Sequence, residues 1–138
     1  MAGTSYRIID NTDLVRNATD AAIEKALEEV GITAEAYAKL IATQKHIVDT
    51  GRLRNSITHA VNMDEKAVYI GTNVEYAPYV ELGTGKYVQG GRQTPWKYKD
   101  EKGWHVTSGM PPRPFLKPAA TEHIEEYKMI FENSLKDA

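Results

Sequence analysis

Ile23, Leu27, Val30, Ala34, Tyr37 and Ile41 recur at steps of 4, 3, 4, 3 and 4, the spacing that gathers side chains on one face of an α-helix. A stripe this long commits the chain to an amphipathic helix with one face buried in a core or a subunit interface. The pattern runs across Gly31 and predicts one helix over about 12–43. A bend or break at Gly31-Ile32-Thr33 is the alternative, since glycine in a helix interior costs roughly 1 kcal/mol relative to alanine. Asp10, Asn11 and Thr12 offer N-caps, and Asp13 suits the positive helix end. A second stripe, Leu116, Ala120, Ile124, Tyr127, Phe131 and Leu135, predicts a last helix over about 117–135, its start bracketed by Pro114 and Pro118. It is expected to pack on a sheet or on the first helix.

Between the stripes the period changes from helical to alternating. Ile57, His59, Val61 and Met63 alternate with Thr58, Ala60 and Asn62, and Val68 and Ile70 flank Tyr69. These runs predict a β-hairpin over about 57–63 and 66–71, turning at Asp64-Glu65. Before it, Thr50-Gly51 reads as a turn in which glycine allows positive φ, followed by a short helical turn from Arg52 to Ser56. Tyr76 to Leu82 reads either as a short helix, with Pro78 in its first turn, or as an edge strand. The expected fold class is α+β: a long N-terminal helix and a C-terminal helix on a small antiparallel sheet.

From Gly83 to Pro118 the composition shifts. Six of the ten Gly, five of the six Pro and both Trp fall here, and a loop this long is usually functional or disordered. Trp96-Lys97-Tyr98-Lys99 and Trp104-His105-Val106-Thr107 flank Asp100-Glu101-Lys102-Gly103, which predicts a protruding hairpin with a left-handed last turn residue. Residues 86–117 carry Lys86, Arg92, Lys97, Lys99, Lys102, Arg113 and Lys117 against Asp100 and Glu101, a charge of +5. The whole chain is −2, so the remainder carries −7. A basic arm on an acidic body suits head-to-tail attraction between subunits or contact with a polyanion. The same lysines and arginines would also solvate a plain long loop. Lys86, Arg92, Trp96, Lys97, Tyr98, Lys99, Lys102 and Trp104 are thus the candidate interface or DNA-facing residues: aromatics can stack bases while lysines meet phosphate. Alternatively, the aromatics form the hairpin's own small core or its contact with a neighbouring subunit. No zinc-knuckle spacing or recognition-helix pattern accompanies them.

Catalytic chemistry finds little support. The chain of 138 residues has no Cys, hence no disulfide framework, thiolate nucleophile or Cys-based zinc site. Its length suits a single domain over 1–138. His46, His59, His105 and His123 do not fall at metal-ligand spacing. Gly83-Thr84-Gly85 and Gly90-Gly91 lack the Lys-Ser/Thr pair and helix of a phosphate loop. No apolar run approaches a membrane span and no signal-peptide pattern opens the chain. No enzymatic activity, cofactor or membrane partner is expected. The acid of most interest is Glu81, set among Tyr76, Tyr79, Val80 and Leu82. Partial burial would oblige it to find a partner, and Arg52 or Arg54 is the expected one, in a bidentate pair, with a bond across a subunit boundary as the rival.

Three strings resemble one protein family when taken in order: Thr50-Gly51-Arg52-Leu53, Tyr76-Ala77 with Glu81-Leu82-Gly83-Thr84, and Pro114-Phe115-Leu116 with Pro118-Ala119. They are similar to the turn, the bend and the helix entry of the small phage tail-component proteins of the gene-product-ten-like type, from Hong Kong ninety-seven phage and its relatives. The resemblance runs from about Thr50 to Ala120 and more loosely over both flanking helices. One departure stands out: a proline often precedes the Val-Asp-Thr-Gly string in the family, where this chain has Ile47 before Val48. The end of the first helix is less sharply defined for that reason. The resemblance implies a structural virion protein at the head–tail junction, a tail-completion or neck component made in the host cytoplasm. It implies partners among head-completion and tail proteins and copies of itself, with rings of six matching tail symmetry. In such a ring the basic arm could face the lumen through which DNA passes and touch phosphate without reading sequence. A nucleic-acid-binding module using loop 86–117 is the other class of function the residues leave open.

Overall fold

The structure, a computed structural model, describes residues 4–9, 18–45, 50–88 and 90–136. It is α+β, as the two periodicities require. The first helix, α1 (Asp20–Gln44), passes through Gly31 without a break. It starts later than the stripe suggested: Thr19 is its cap, its hydroxyl accepting from the Ala22 N–H at 3.2 Å. The caps expected at Asp10 to Thr12 fall outside the described residues, as do His46, Ile47 and Val48.

Three strands form an antiparallel sheet in the order β1 (Thr4–Ile9), β3 (Ala67–Thr72), β2 (Thr58–Asn62). β2 and β3 are the expected hairpin, with His59 opposite Ile70 and Val61 opposite Val68. β1 is an addition that the sequence did not announce. It pairs along the far edge of β3, Tyr6 opposite Ile70 and Ile8 opposite Val68, and a strand this short depends on that distant partner for its definition. Inward-facing Tyr6, Ile8, Val61, Val68 and Ile70 pack with Ile23, Leu27 and Val30 of α1.

α1 is buried on two flanks. Ile23, Leu27, Val30 and Ala34 are buried as the stripe predicts, but so are Ala26, Ala38 and Ala42. These small side chains let the last helices approach, while Tyr37 and Ile41 are only partly covered. Gly31 has a specific reason to lack a side chain. A Cβ there would stand 2.6 Å from Cδ2 of His59 and 2.9 Å from Cγ2 of Val68, so its absence lets β2 and β3 lie close against the helix. The His59 ring fills that space and joins α1 to the sheet: Nδ1 is 3.0 Å from Glu35, and Nε2 bonds to Glu28. Burial pulls the His59 pKa down, but the hydrogen bonds to the two carboxylates outweigh it and hold the imidazole above its ordinary value.

Two expectations need correction. Thr50-Gly51 is not a turn with a left-handed glycine: both residues belong to helix α2 (Thr50–Ser56), and Gly51 is not among the positive-φ glycines. The open solvent around Gly51 puts no steric demand on it. Nor is the C-terminal stripe one helix. It divides into α4 (Leu116–Thr121) and α5 (Ile124–Lys136), separated at Glu122-His123. The division rotates Ile124 out to solvent, while Leu116, Ala120, Tyr127 and Phe131 remain in the core. The buried Tyr127 hydroxyl donates across the break to the Ala119 carbonyl, and the His123 ring stacks flat on Tyr37 of α1, centroids 3.7 Å apart. α5 packs along α1.

Candidate docking interface

Tyr76 to Leu82 resolves as a helix, α3 (Ala77–Leu82), with Pro78 in its first turn where the missing N–H costs nothing. From its end the chain leaves the body as an arm and returns at Pro114. The neck of the arm is backbone against backbone. The Thr84 N–H donates to the Met110 carbonyl at 2.9 Å, Lys86 N–H to Ser108 at 3.0 Å, and Arg113 N–H to Val80 at 2.8 Å. The Thr84 hydroxyl accepts from the Met110 N–H at 2.8 Å. Only glycines permit this approach: a Cβ on Gly85 would lie 2.2 Å from the Ser108 oxygen, and one on Gly109 the same distance from the Thr84 oxygen. Both also have positive φ, +61° and +114°.

Glu81 anchors the returning strand. It is 3 % exposed. Its Oε1 accepts from the N–H groups of Phe115 and Leu116 at 3.0 and 2.9 Å, and its Oε2 from Lys117 at 3.0 Å. A helix start leaves four backbone N–H groups without partners. In α4 the fourth belongs to Pro118, which has none, so the one carboxylate satisfies every donor present. The Tyr6 hydroxyl of β1 also bonds to Glu81, and its pKa is raised by burial first and by the carboxylate's charge second.

The expected Arg52 or Arg54 pairing with Glu81 is therefore wrong. Three backbone donors and the Tyr6 hydroxyl already occupy the carboxylate. Arg52 instead bonds Glu75, Nη2 lying 2.9 and 3.1 Å from its two oxygens, and its guanidinium stands over the Tyr76 ring at 5.4 Å. The three strings are still joined in space. Arg52 ties the first to the start of the second, and Glu81 ties the second to the third. Tyr76, Glu81, Gly83, Thr84, Pro114, Phe115, Leu116 and Pro118 gather at the base of the arm, with Phe115 and Leu116 fully buried. Leu53 is also fully buried, within α2. Sequence reasoning passed over Tyr6, which lies in the unannounced strand and carries no local signal.

Beyond the neck comes a short 3₁₀ turn (Gly85–Tyr87) and then the hairpin of β4 (Trp96–Asp100) and β5 (Gly103–Thr107). The hairpin is where it was expected, with Gly103 at φ +113°, but its connection is tighter. Asp100 pairs with Gly103, leaving Glu101 and Lys102 as a two-residue turn. The register sorts its side chains. Trp96, Tyr98, His105 and Thr107 share one face, with Tyr98 stacked on His105 at 5.1 Å and Arg92 over Trp96 at 5.6 Å. Lys97, Lys99, Trp104 and Val106 share the other, with the Lys99 ammonium 5.9 Å from the Trp104 centroid. Lys86 stands over Tyr87 at 5.2 Å. Trp104 is 69 % exposed and Val106 66 %. The two strands form a sheet of their own, without extended packing on any other element.

Nothing here converges as reacting groups do. Among the described residues no cluster of His, Asp and Glu is arranged to hold a metal, and no described helix is long and apolar enough to cross a membrane. The arrangement offers chemistry of contact: aromatic and aliphatic surface, fixed cations, and a rigid neck to aim them.

No curated protein and no solved structure matches the chain. A family model does, that described as "Bacteriophage HK97-gp10, putative tail-component", over residues 7–83. The matched stretch runs from β1 through α3, more than half the chain, and stops where the arm begins. With its first motif string and all of the second but Thr84 inside that stretch, and the two joined through Arg52, this chain belongs to the HK97-gp10-like family of bacteriophage tail components.

Proposed function

We propose that this protein is a tail-completion or neck component that joins tail to head in the virion, acting by self-assembly and docking rather than catalysis. The single observation that carries the reading is the unsupported hairpin on a braced neck. A two-stranded hairpin alone is marginal in water, and this one exposes Trp104 and Val106. A clustered apolar surface of this kind marks an interaction site. A ring of subunits, six in register with tail symmetry, would give each arm a neighbour. Head-completion and tail proteins would then meet the two ends of the ring. The site residues of the arm and of the three strings act here as interface and as the frame that holds it.

Deleting the gene from the phage or prophage that encodes the chain tests the role. DNA-filled heads and separate finished tails are expected to accumulate, and complementation in trans to restore joined particles. Joined, infectious particles without the protein refute the reading.

The cationic face also favours a second use, contact with DNA inside the ring. Lys97 and Lys99 flank an exposed indole, the combination that binds single strands and phosphate. Binding of this kind weakens steeply with salt, so titrating the protein with DNA at low and high salt tests it. Placement of residues 86–107 on the outer rim of an assembled ring excludes it.

A further inference from the structure

We infer that the Lys97–Lys99–Trp104–Val106 face of the arm docks across the outer ridge of α1 on a second copy of this chain, in a head-to-tail contact. The inference rests on the self-assembly proposed above and names the two surfaces that meet.

The ridge consists of Asp20, Glu24, Glu28, Ile32, Ala36 and Leu40, each four residues after the last and each exposed. Within the chain Asp20 already pairs with Lys66 and Glu28 with His59, so Glu24 is, among the described residues, the acid of the ridge left for a neighbour. The ridge's first half is acidic and its second half apolar, Ile32 being 55 % and Leu40 51 % exposed. These apolar residues lie off the buried stripe, so the helix's own core does not account for them.

The arm face is divided in the same way. Lys97 and Lys99 lie on one strand, and opposite them Val106 and Trp104 lie on the other. Antiparallel strands stand about 4.8 Å apart, and four residues of helix rise about 6 Å. A hairpin laid across α1 with its Trp104–Val106 strand at the level of Ile32 therefore sets its lysine strand near Glu28, one helical turn from Glu24 and within reach of it through the long lysine side chains. Acid meets base and apolar meets apolar in one placement. Pairing two arms face to face sets Lys97 and Lys99 either against the same lysines or against the Trp104–Val106 strand of the other copy, with no acid on that face to offset them in either orientation. Because arm and ridge are different surfaces, the contact is heterologous: it closes into a ring if the rotation permits and otherwise extends as a chain.

The native chain has no cysteine, so a two-component cross-link reads the contact directly. Val106→Cys and Ile32→Cys proteins, each folded by circular dichroism, are oxidised alone and as a mixture. A disulfide dimer is expected in the mixture and neither alone. A dimer of Val106→Cys alone, or a mixture no more cross-linked than its components, overturns the docking. As a second arm, K97E/K99E is expected to weaken self-association about ten-fold or more in sedimentation equilibrium, and adding Glu24→Lys to restore part of it. An assembling wild-type chain that ignores K97E/K99E sinks the docking but leaves self-assembly standing. If the wild type stays monomeric alone and with its virion partners, self-assembly falls too. Loss of salt-sensitive DNA binding in K97E/K99E with unchanged assembly assigns the face to DNA and overturns the docking.

Discussion

Replacing Glu81 by glutamine isolates the clamp at the base of the arm. The side chain keeps its shape, so its single carbonyl oxygen can still accept from Phe115 and Leu116, now without a negative charge. The amide nitrogen must then face the Lys117 N–H, donor against donor, while the Tyr6 hydroxyl, able to donate or accept, keeps a partner at either amide atom. Net hydrogen bonds to charged groups contribute about 1.5–3 kcal/mol, neutral ones roughly half as much. One such bond lost and two weakened sum to about 3–6 kcal/mol, and the lower cost of burying an amide than a carboxylate brings the expected loss to about 2–3 kcal/mol. For a chain of this size that lowers Tm by about 6–12 °C. Thermal unfolding by circular dichroism gives the magnitude, and amide exchange at Phe115, Leu116 and Lys117 gives the location, since those three should speed up first. A Tm within about 1 °C of wild type, together with unchanged exchange at the three amides, refutes the claim that one carboxylate caps α4.

Arg52→Ala should lower Tm by about 4 °C at most, because the Arg52–Glu75 pair is exposed, and its effect should add to that of Glu81→Gln; strong non-additivity would restore a direct Arg52–Glu81 coupling. Gly31→Ala should destabilise by about 1–3 kcal/mol in denaturant unfolding despite alanine's better helix propensity, since the new Cβ meets the His59 ring and Val68; a stabilised variant would show that the sheet can retreat. His59 supports the fold as a cation. Its pKa is raised from 6.5, so its contribution is complete below that value and is lost as pH rises through the raised one. Burial pushes the Glu35 pKa up, but the bonds from His59 and Lys39 outweigh it and hold the carboxyl below its ordinary value. Its contribution therefore disappears as pH falls through that lowered value. Stability should peak between the two, and His59→Gln should flatten the alkaline side of the Tm–pH curve; an unaltered curve rules out the cluster as its cause. Ser134→Ala should raise stability by about 1 kcal/mol in denaturant unfolding, because the buried Ser134 hydroxyl has no hydrogen-bond partner; a loss of stability would mean that the hydroxyl is satisfied in solution.

Local periodicity determined much of this protein. The apolar steps from Ile23 to Ile41 carried α1 unbroken through Gly31, and alternation set the β2–β3 hairpin, because a residue's face within a helix or strand depends only on its neighbours in the chain. The arm was legible for the same reason, as glycine, proline and tryptophan are concentrated there. Tertiary structure decided where partners lie far apart in sequence. Tyr6 reads as strand only once β1 lies along β3. The last stripe looks like one helix until Tyr127 and His123 dock on their neighbours and turn Ile124 outward. Glu81 could be recognised as an acid needing a partner, but charge alone pointed to Arg52 or Arg54. Three backbone N–H groups at the start of α4 held it instead, because main-chain donors are written in no side chain and become a site only when folding leaves them together and unpaired.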